Sequence, residues 1–215
     1  MFQKNIYSFY ILSCFGELLF SKEEGKIAVK IARGVIEKYV KDKEITIKDY
    51  PGSFKEKSGV FVTINTYPKK ELRGCIGYPE PVMPLIDAVI DSAKNACRDP
   101  RFPPLEKNEL NRIVVEVSLL TKPEMIKIDN PINYTEKIKI GRDGLIAESG
   151  FYRGLLLPQV PVEWKWDKET FLSHTCMKAG LASDAWLDKK TKIYSFQAQI
   201  FSEETPNGEI KEREL

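Results

Sequence analysis

The sequence predicts an α+β protein in two subdomains, and three observations carry the prediction. Apolar residues recur at helical spacing from Ile27 to Val40 and again from Leu85 to Cys97. Two alternating runs flank the turn Tyr67-Pro68-Lys69-Lys70, as the arms of a hairpin would. A third run, Ile113 to Leu120, is dense enough in β-branched residues to be an interior strand.

The first apolar stretch, Ile6 to Phe15 behind Lys4, resembles the core of a signal peptide and even places Cys14 where a lipoprotein signal would. It is polar in places, and Glu17 follows at once. It reads instead as an apolar helix docked on the domain, or as an extension without function. Ser21-Lys22-Glu23-Glu24 then forms a capping box that satisfies free amides at a helix start. Ile27, Ala28, Ile31, Ala32, Val35, Ile36, Tyr39 and Val40 supply the buried face of that helix. Past the polar stretch around Tyr50-Pro51-Gly52, Val60, Val62 and Ile64 alternate with Phe61, Thr63 and Asn65 as a strand. Residues 72–78 are its expected neighbour.

Pro84 suits the first turn of a second helix, whose face is Leu85, Ile86, Val89, Ile90, Ala93, Ala96 and Cys97. Arg98-Asp99-Pro100 stops it, and Arg101-Phe102-Pro103-Pro104 cannot be regular. After the 113–120 strand the chain changes character at Lys122-Pro123. Shorter elements are expected beyond: strands at 126–128, 144–148 and 154–157, and a helix near 134–138. Asp167 is placed to cap a helix over 168–179, which Gly180 closes in the left-handed conformation. A last strand spans 193–201, and a polar tail from Ser202 frays. One subdomain then comprises residues 1–123 and 189–215, the other is inserted at 124–188, and a cleft lies between them.

Composition narrows the function classes. With 215 residues, 42% of them hydrophobic, the chain can bury roughly 70% of its unfolded surface and needs no staples. Lysine and arginine total 33 against 31 acidic residues, so no global basic field favours a nucleic-acid duplex. Cysteines at 14, 75, 97 and 176 are too few and scattered for a disulfide framework, and none forms a CxxC pair. A reducing, cytoplasmic setting fits them. His174 is the only histidine, which excludes a histidine-rich metal site, and no run reaches the roughly 20 apolar residues of a membrane span. No cofactor site is read from the sequence.

The residues best suited to chemistry lie in Leu72-Arg73-Gly74-Cys75-Ile76-Gly77. Strand alternation puts Leu72, Gly74 and Ile76 on one face and Arg73, Cys75 and Gly77 on the other. A guanidinium beside Cys75 would favour thiolate, and Gly74 and Gly77 would let a ligand or backbone approach closely. In the rival reading Cys75 packs as a small hydrophobe and Arg73 pairs with a carboxylate. Asp99 and Arg101 flank a proline, which suits either a rigid binding corner or a structural ion pair. Glu163 and Trp164, with Trp166, could wall a pocket or cover the joint between subdomains. Cys97 and Cys176 read as core, and His174 as a helix residue without a catalytic role.

This strand motif is followed by Asp99-Pro100-Arg101-Phe102-Pro103-Pro104 and Val117-Ser118-Leu119-Leu120-Thr121. Gly141-Arg142-Asp143-Gly144-Leu145, Arg153 to Val160 and Lys178-Ala179-Gly180-Leu181 come later. Together these ordered blocks resemble the AMMECR family, named after an Alport-syndrome chromosomal region, over most of residues 20–201. The resemblance implies a larger α+β subdomain holding both termini and a smaller one, each with an antiparallel sheet. It implies no assigned activity, with the motif as the functional centre. Family relatives fused to or neighbouring Memo-type and radical S-adenosylmethionine domains imply a partner from a shared modification pathway.

Two function classes follow, with a third behind them. In the first, a cleft enzyme or accessory uses Cys75 as nucleophile or redox thiol and Arg73 to stabilise its anion, while Asp99 and Arg101 hold a small polar substrate. In the second, the motif is a rigid surface of a non-catalytic partner-binding module. RNA binding ranks last.

Overall fold

The computed structural model describes residues 20–213, so the expectation for residues 6–15 lies outside the described residues. Helix α1 (Lys22–Val40) starts at the anticipated capping box: the Ser21 hydroxyl accepts from the Glu24 N–H, and the Glu24 side chain accepts from the Ser21 N–H. Its inner face buries Ala28, Ile31, Ala32, Val35 and Ile36, while Ile27 is only partly buried at the margin. Helix α2 (Leu85–Ala96) lies beside it. Both pack on the sheet that begins with strands β1 (Gly59–Thr66), β2 (Leu72–Tyr78) and β3 (Ile113–Leu120). Strand β3 runs between β1 and β7 (Lys192–Glu203) and is buried along its whole length, as its β-branched composition predicts.

The second half of the chain adds β4 (Glu124–Met125), α3 (Tyr134–Lys137), β5 (Asp143–Ser149), β6 (Tyr152–Leu156), α4 (Gln159–Glu163) and α5 (Lys168–Lys178). Asp167 caps α5 by accepting the Thr170 N–H, and Gly180 has φ +78°, as the sequence indicated. Two local expectations change. The strand near residue 126 pairs at Glu124–Met125 instead, with Ile126 continuing through its N–H to the Ile193 carbonyl at 2.9 Å. The tail does not fray at Ser202: β7 continues to Glu203, and β8 (Ile210–Arg213) folds back on it. The turn between them contains Asn207 at φ 55° followed by Gly208, an Asn-Gly hairpin signal that explains the return.

Among the described residues, all strands join one eight-stranded antiparallel sheet in the order β2-β1-β3-β7-β5-β6, with β4 and β8 also pairing to β7. A single continuous sheet thus replaces the two anticipated. Strand β7 makes this possible: its 12 residues pair with β5 near one end and with β3 near the other. Side-chain alternation along β7 gives the sheet one helical face and one that is bare of helices among the described residues. Phe201 joins the core under α1 and α2, and Ile193 joins a second core with Leu145, Ala147, Phe171, Leu172 and Cys176. Phe196, of opposite parity to Ile193, meets Leu120 and Ile146 on the bare face. The sheet curls there, and Arg153 of β6 reaches Glu80, just past β2, at 2.6 Å. The outermost strands are therefore tied by an ion pair.

One charged pair sits in the first core. Arg33 (5% exposed) forms a bidentate pair with Glu203 (3%) and donates to the carbonyls of Leu110 and Ile113, while Glu203 also accepts the Val115 N–H. This network ties α1 to β3 and the end of β7. Such a pair is held because its donors and acceptors are matched by the groups around it.

Candidate functional site

Strand β2 is an outer strand, so its free edge needs partners for the backbone groups that point away from β1. At Cys75 two side chains supply them. The Cys75 N–H donates to Asp99 Oδ2 at 2.9 Å, and the Cys75 carbonyl accepts from Arg101 Nη2 at 3.2 Å. Asp99 and Arg101 are themselves joined twice, Nε to Oδ1 at 3.0 Å and Nη2 to Oδ2 at 2.6 Å, and the Arg101 N–H also donates to Oδ1. The two side chains do what a neighbouring strand would do. Asp99 is 2% exposed. The Arg101 guanidinium holds its carboxyl well below the usual carboxylate range, against the effect of burial and with help from the two amides.

The glycines of the motif are explained by packing. A Cβ on Gly74 would stand 2.3 Å from the Ala96 carbonyl oxygen, where β2 crosses the end of α2. One on Gly77 would meet the Val60 carbonyl oxygen at 2.2 Å and the Phe61 ring. Close approach by a ligand or by backbone was the anticipated reason for both, and the groups found this close are backbone of this chain.

Arg73 does not share a face with Cys75. The register pairs Ile64 with Gly74 but Asn65 with Leu72, so Arg73 is an extra residue, and the alternation that should align it with Cys75 is broken. Its side chain turns to Glu109, with Nε to Oε1 at 2.8 Å and Nη2 to Oε2 at 3.0 Å, and to the carbonyls of Pro103 and Pro104. Burial alone would raise the Glu109 carboxyl, yet the Arg73 hydrogen bonds and the Glu106 amide outweigh it and hold the group below its ordinary value.

The Cys75 thiol is half-buried on the bare face, opposite Thr63, whose hydroxyl donates to Sγ at 3.2 Å. Burial pushes this thiol up. Thr63 and Arg101 pull it down, while the carboxylates of Asp99 and Glu116 push it further up, and the balance lies above an ordinary cysteine. Burial drives Cys97 to about 12 and Cys176 to about 11, as suits their core positions. The anticipated acidic thiol next to Arg73 is therefore replaced by a weakly acidic one next to Thr63.

Glu163 and Trp164 lie on other elements, at and just past the end of α4. Trp164 is exposed and stacks on Trp166 at 6.3 Å, and Trp166 stacks on His174 at 3.9 Å. These rings cover α5 rather than wall a pocket around the motif. Sequence reasoning passed over Thr63, because the hairpin turn alone would set it opposite Gly74 and only the extra residue at Arg73 brings it to Cys75. It also missed Glu109, which nothing in local pattern connects to Arg73. Among the described residues no group of His, Cys, Asp and Glu side chains is arranged to hold a metal ion.

A family model, AMMECR1, matches residues 29–201. Protein MJ0810 of Methanocaldococcus jannaschii is 60% identical over 198 residues, covering 92% of this chain and 98% of its own length. A protein of Methanococcus aeolicus is 55% identical over 193 residues, covering 89% and 97%. The crystal structure of the uncharacterised protein PH0010 of Pyrococcus horikoshii superposes with a TM-score of 0.82 at 53% identity, covering 91% of this chain and 99% of that one.

Proposed function

The chain belongs to the AMMECR1 family, and on that premise we propose that it is a recognition module, with the LRGCIG strand as a rigid edge read by a partner protein. One observation carries the reading. The groups that would serve chemistry at the motif are committed to one another: Asp99 to Arg101 and the Cys75 amide, Arg73 to Glu109 and two carbonyls. What remains is a fixed surface around Cys75 and the outer side of Arg101, which is half in solvent. Rigid, prepaired polar groups favour recognition, because little order has to be imposed when a partner binds. A Memo-type or radical S-adenosylmethionine protein of the same pathway is the partner class this reading takes from the family resemblance.

A second reading has one observation in its favour. Cys75 is the described cysteine that is not buried, and both Thr63 and Arg101 favour its thiolate. In that case it works as a reactive thiol on a small polar substrate. Alkylation with iodoacetamide between pH 7 and 10, followed by mass spectrometry of each cysteine peptide, separates the two. The recognition reading expects Cys75 to react more slowly than free cysteine at pH 7, with its inflection above the roughly 8.5 of a free thiol. Rapid labelling with an inflection below that value would transfer the assignment to thiol chemistry.

A further inference from the structure

A groove of about 400 Å³ lies in the second half of the sheet, between the chain leaving β4 and the start of β7. Its apolar floor is Ile126, Ile128 and Tyr134, which belong to or pack on the second core. Lys127 and Lys189 stand exposed along it, and neither makes a side-chain hydrogen bond or ion pair among the described residues. Lys192 also lines the groove, but its ammonium lies 3.9 Å from Glu148, on the face of β7 opposite Thr191 and Ile193. Asp129 is the single carboxylate in the lining, so positive charge prevails.

Thr191 supplies a further donor at the groove wall. It lines the groove and is 4% exposed, yet its hydroxyl has no hydrogen-bond partner among the described residues. The buried side-chain atoms left without a partner among the described residues are Ser92 Oγ and Gln159 Oε1, so the Thr191 hydroxyl keeps contact with solvent. A solvent-reached hydroxyl in a groove lined by two unpaired lysines is a ready donor to an anion. The volume is that of a site for a small molecule, at the lower end of the roughly 300 to 1,000 Å³ such pockets span.

We propose that this groove binds a small organic anion, a phosphate or carboxylate carried on an apolar body. The anion meets Lys127, Lys189 and the Thr191 hydroxyl, and the body lies on Ile126, Ile128 and Tyr134. Asp129, at the exposed rim, disfavours a ligand of high negative charge and so limits the class to a compact headgroup. This site is separate from the β2 edge and does not depend on the recognition reading.

Calorimetric titration of the full chain with hexyl phosphate, hexanoate and hexanol tests it, beside the variants Lys127→Gln/Lys189→Gln and Thr191→Val. Saturable binding of one or both anions at one site, with hexanol failing to bind, is the expected result. The preferred anion identifies the headgroup. The double lysine variant should weaken binding at least about tenfold, and Thr191→Val several-fold, with melting temperatures unchanged for the lysine variant. No binding of either anion at millimolar concentration, equal binding of hexanol, or affinities that ignore the lysine substitutions would overturn the proposal. Should Thr191→Val unfold, the lysine variant alone decides between these outcomes, since its side chains are solvent-exposed.

Discussion

At the β2 edge, Arg73 and Asp99 are conspicuous in sequence and fully engaged in structure. The groove beside β4 is the reverse: Lys127, Lys189 and Thr191 belong to no motif, and their side-chain polar groups are unengaged among the described residues. The first region uses charge to complete a sheet edge, with Asp99 and Arg101 standing in for a strand. The second leaves charge and a nearly buried hydroxyl facing open space. A recognisable motif is thus a guide to where the chain is built most tightly, and unengaged polar groups are a guide to where something else can bind. Substitutions in the two regions should therefore differ in kind, stability responding at the edge and ligand binding at the groove.

The largest expected effect is that of Asp99→Ala. It removes the acceptor of two backbone amides and of the Arg101 guanidinium from a site that is 2% exposed. A fully buried pair broken in this way costs roughly 3–5 kcal/mol; here about 2–3 is expected, because Arg101 is half in solvent and recovers water. Urea unfolding measures it, and a loss below about 0.5 kcal/mol would mean that the edge is not held by this carboxylate. The pH dependence has a fixed sign. Since the folded carboxyl is held below its unfolded value, its contribution is complete above the unfolded pKa near about 4 and is lost as pH falls through the acid range. Asp99→Asn should flatten the acid limb of the stability curve.

Gly74→Ala comes next. The added methyl would meet the backbone oxygen of Ala96 at 2.3 Å, and a backbone atom cannot swing aside as a flexible side chain can. Either β2 or the end of α2 must shift, at about 1–3 kcal/mol. Thermal unfolding checks this, and an unchanged midpoint would show that the strand has slack over α2.

How these two regions read from sequence follows from the range of the interactions. The α+β class, α1 with its capping box, the hairpin around 67–70 and the interior position of β3 depend on local periodicity, and local periodicity is visible. The single sheet was not, because it rests on β7 pairing with different strands at its two ends, and no local signal marks a shared strand. Strand β8 was legible in principle through Asn207-Gly208. The pairing of Cys75 with Asp99 and Arg101 joins residues 24 and 26 positions apart. The residues themselves stood out, but their use as an edge cap required the strand order. Arg73 shows the limit of parity arguments, since one extra residue in β2 reverses the face on which it lies. The anion groove had no sequence signal at all: its lysines are scattered, and the state of the Thr191 hydroxyl is a property of folded surroundings.

A smaller effect separates packing from reactivity at Cys75. Thr63→Val keeps the shape of the side chain and removes the hydroxyl that donates to Sγ at 3.2 Å. That hydrogen bond stabilises the thiolate, so its loss raises an already raised thiol, and alkylation at fixed pH should slow several-fold. Stability should change by about 1 kcal/mol or less, as for a single partly buried hydrogen bond. Faster labelling in the variant would mean that Thr63 acts by covering the sulfur rather than by hydrogen bonding.

The smallest expected effect on stability belongs to Lys127→Gln/Lys189→Gln, and its smallness is the point of the comparison. Neither ammonium has a partner among the described residues, and both side chains are exposed. Removing their charge breaks no hydrogen bond there and leaves no buried group unpaired. Unfolding free energy should stay within about 0.5 kcal/mol of the parent, the range of ordinary surface substitutions. Charge repulsion favours a change on the stabilising side, because Lys127 and Lys189 line the same groove and have only Asp129 among the lining residues to offset them. A destabilisation of about 2 kcal/mol or more, well outside that surface range, would place these lysines in the same class as Asp99, engaged in holding the fold. The contrast between a completed edge and an open groove would then fail.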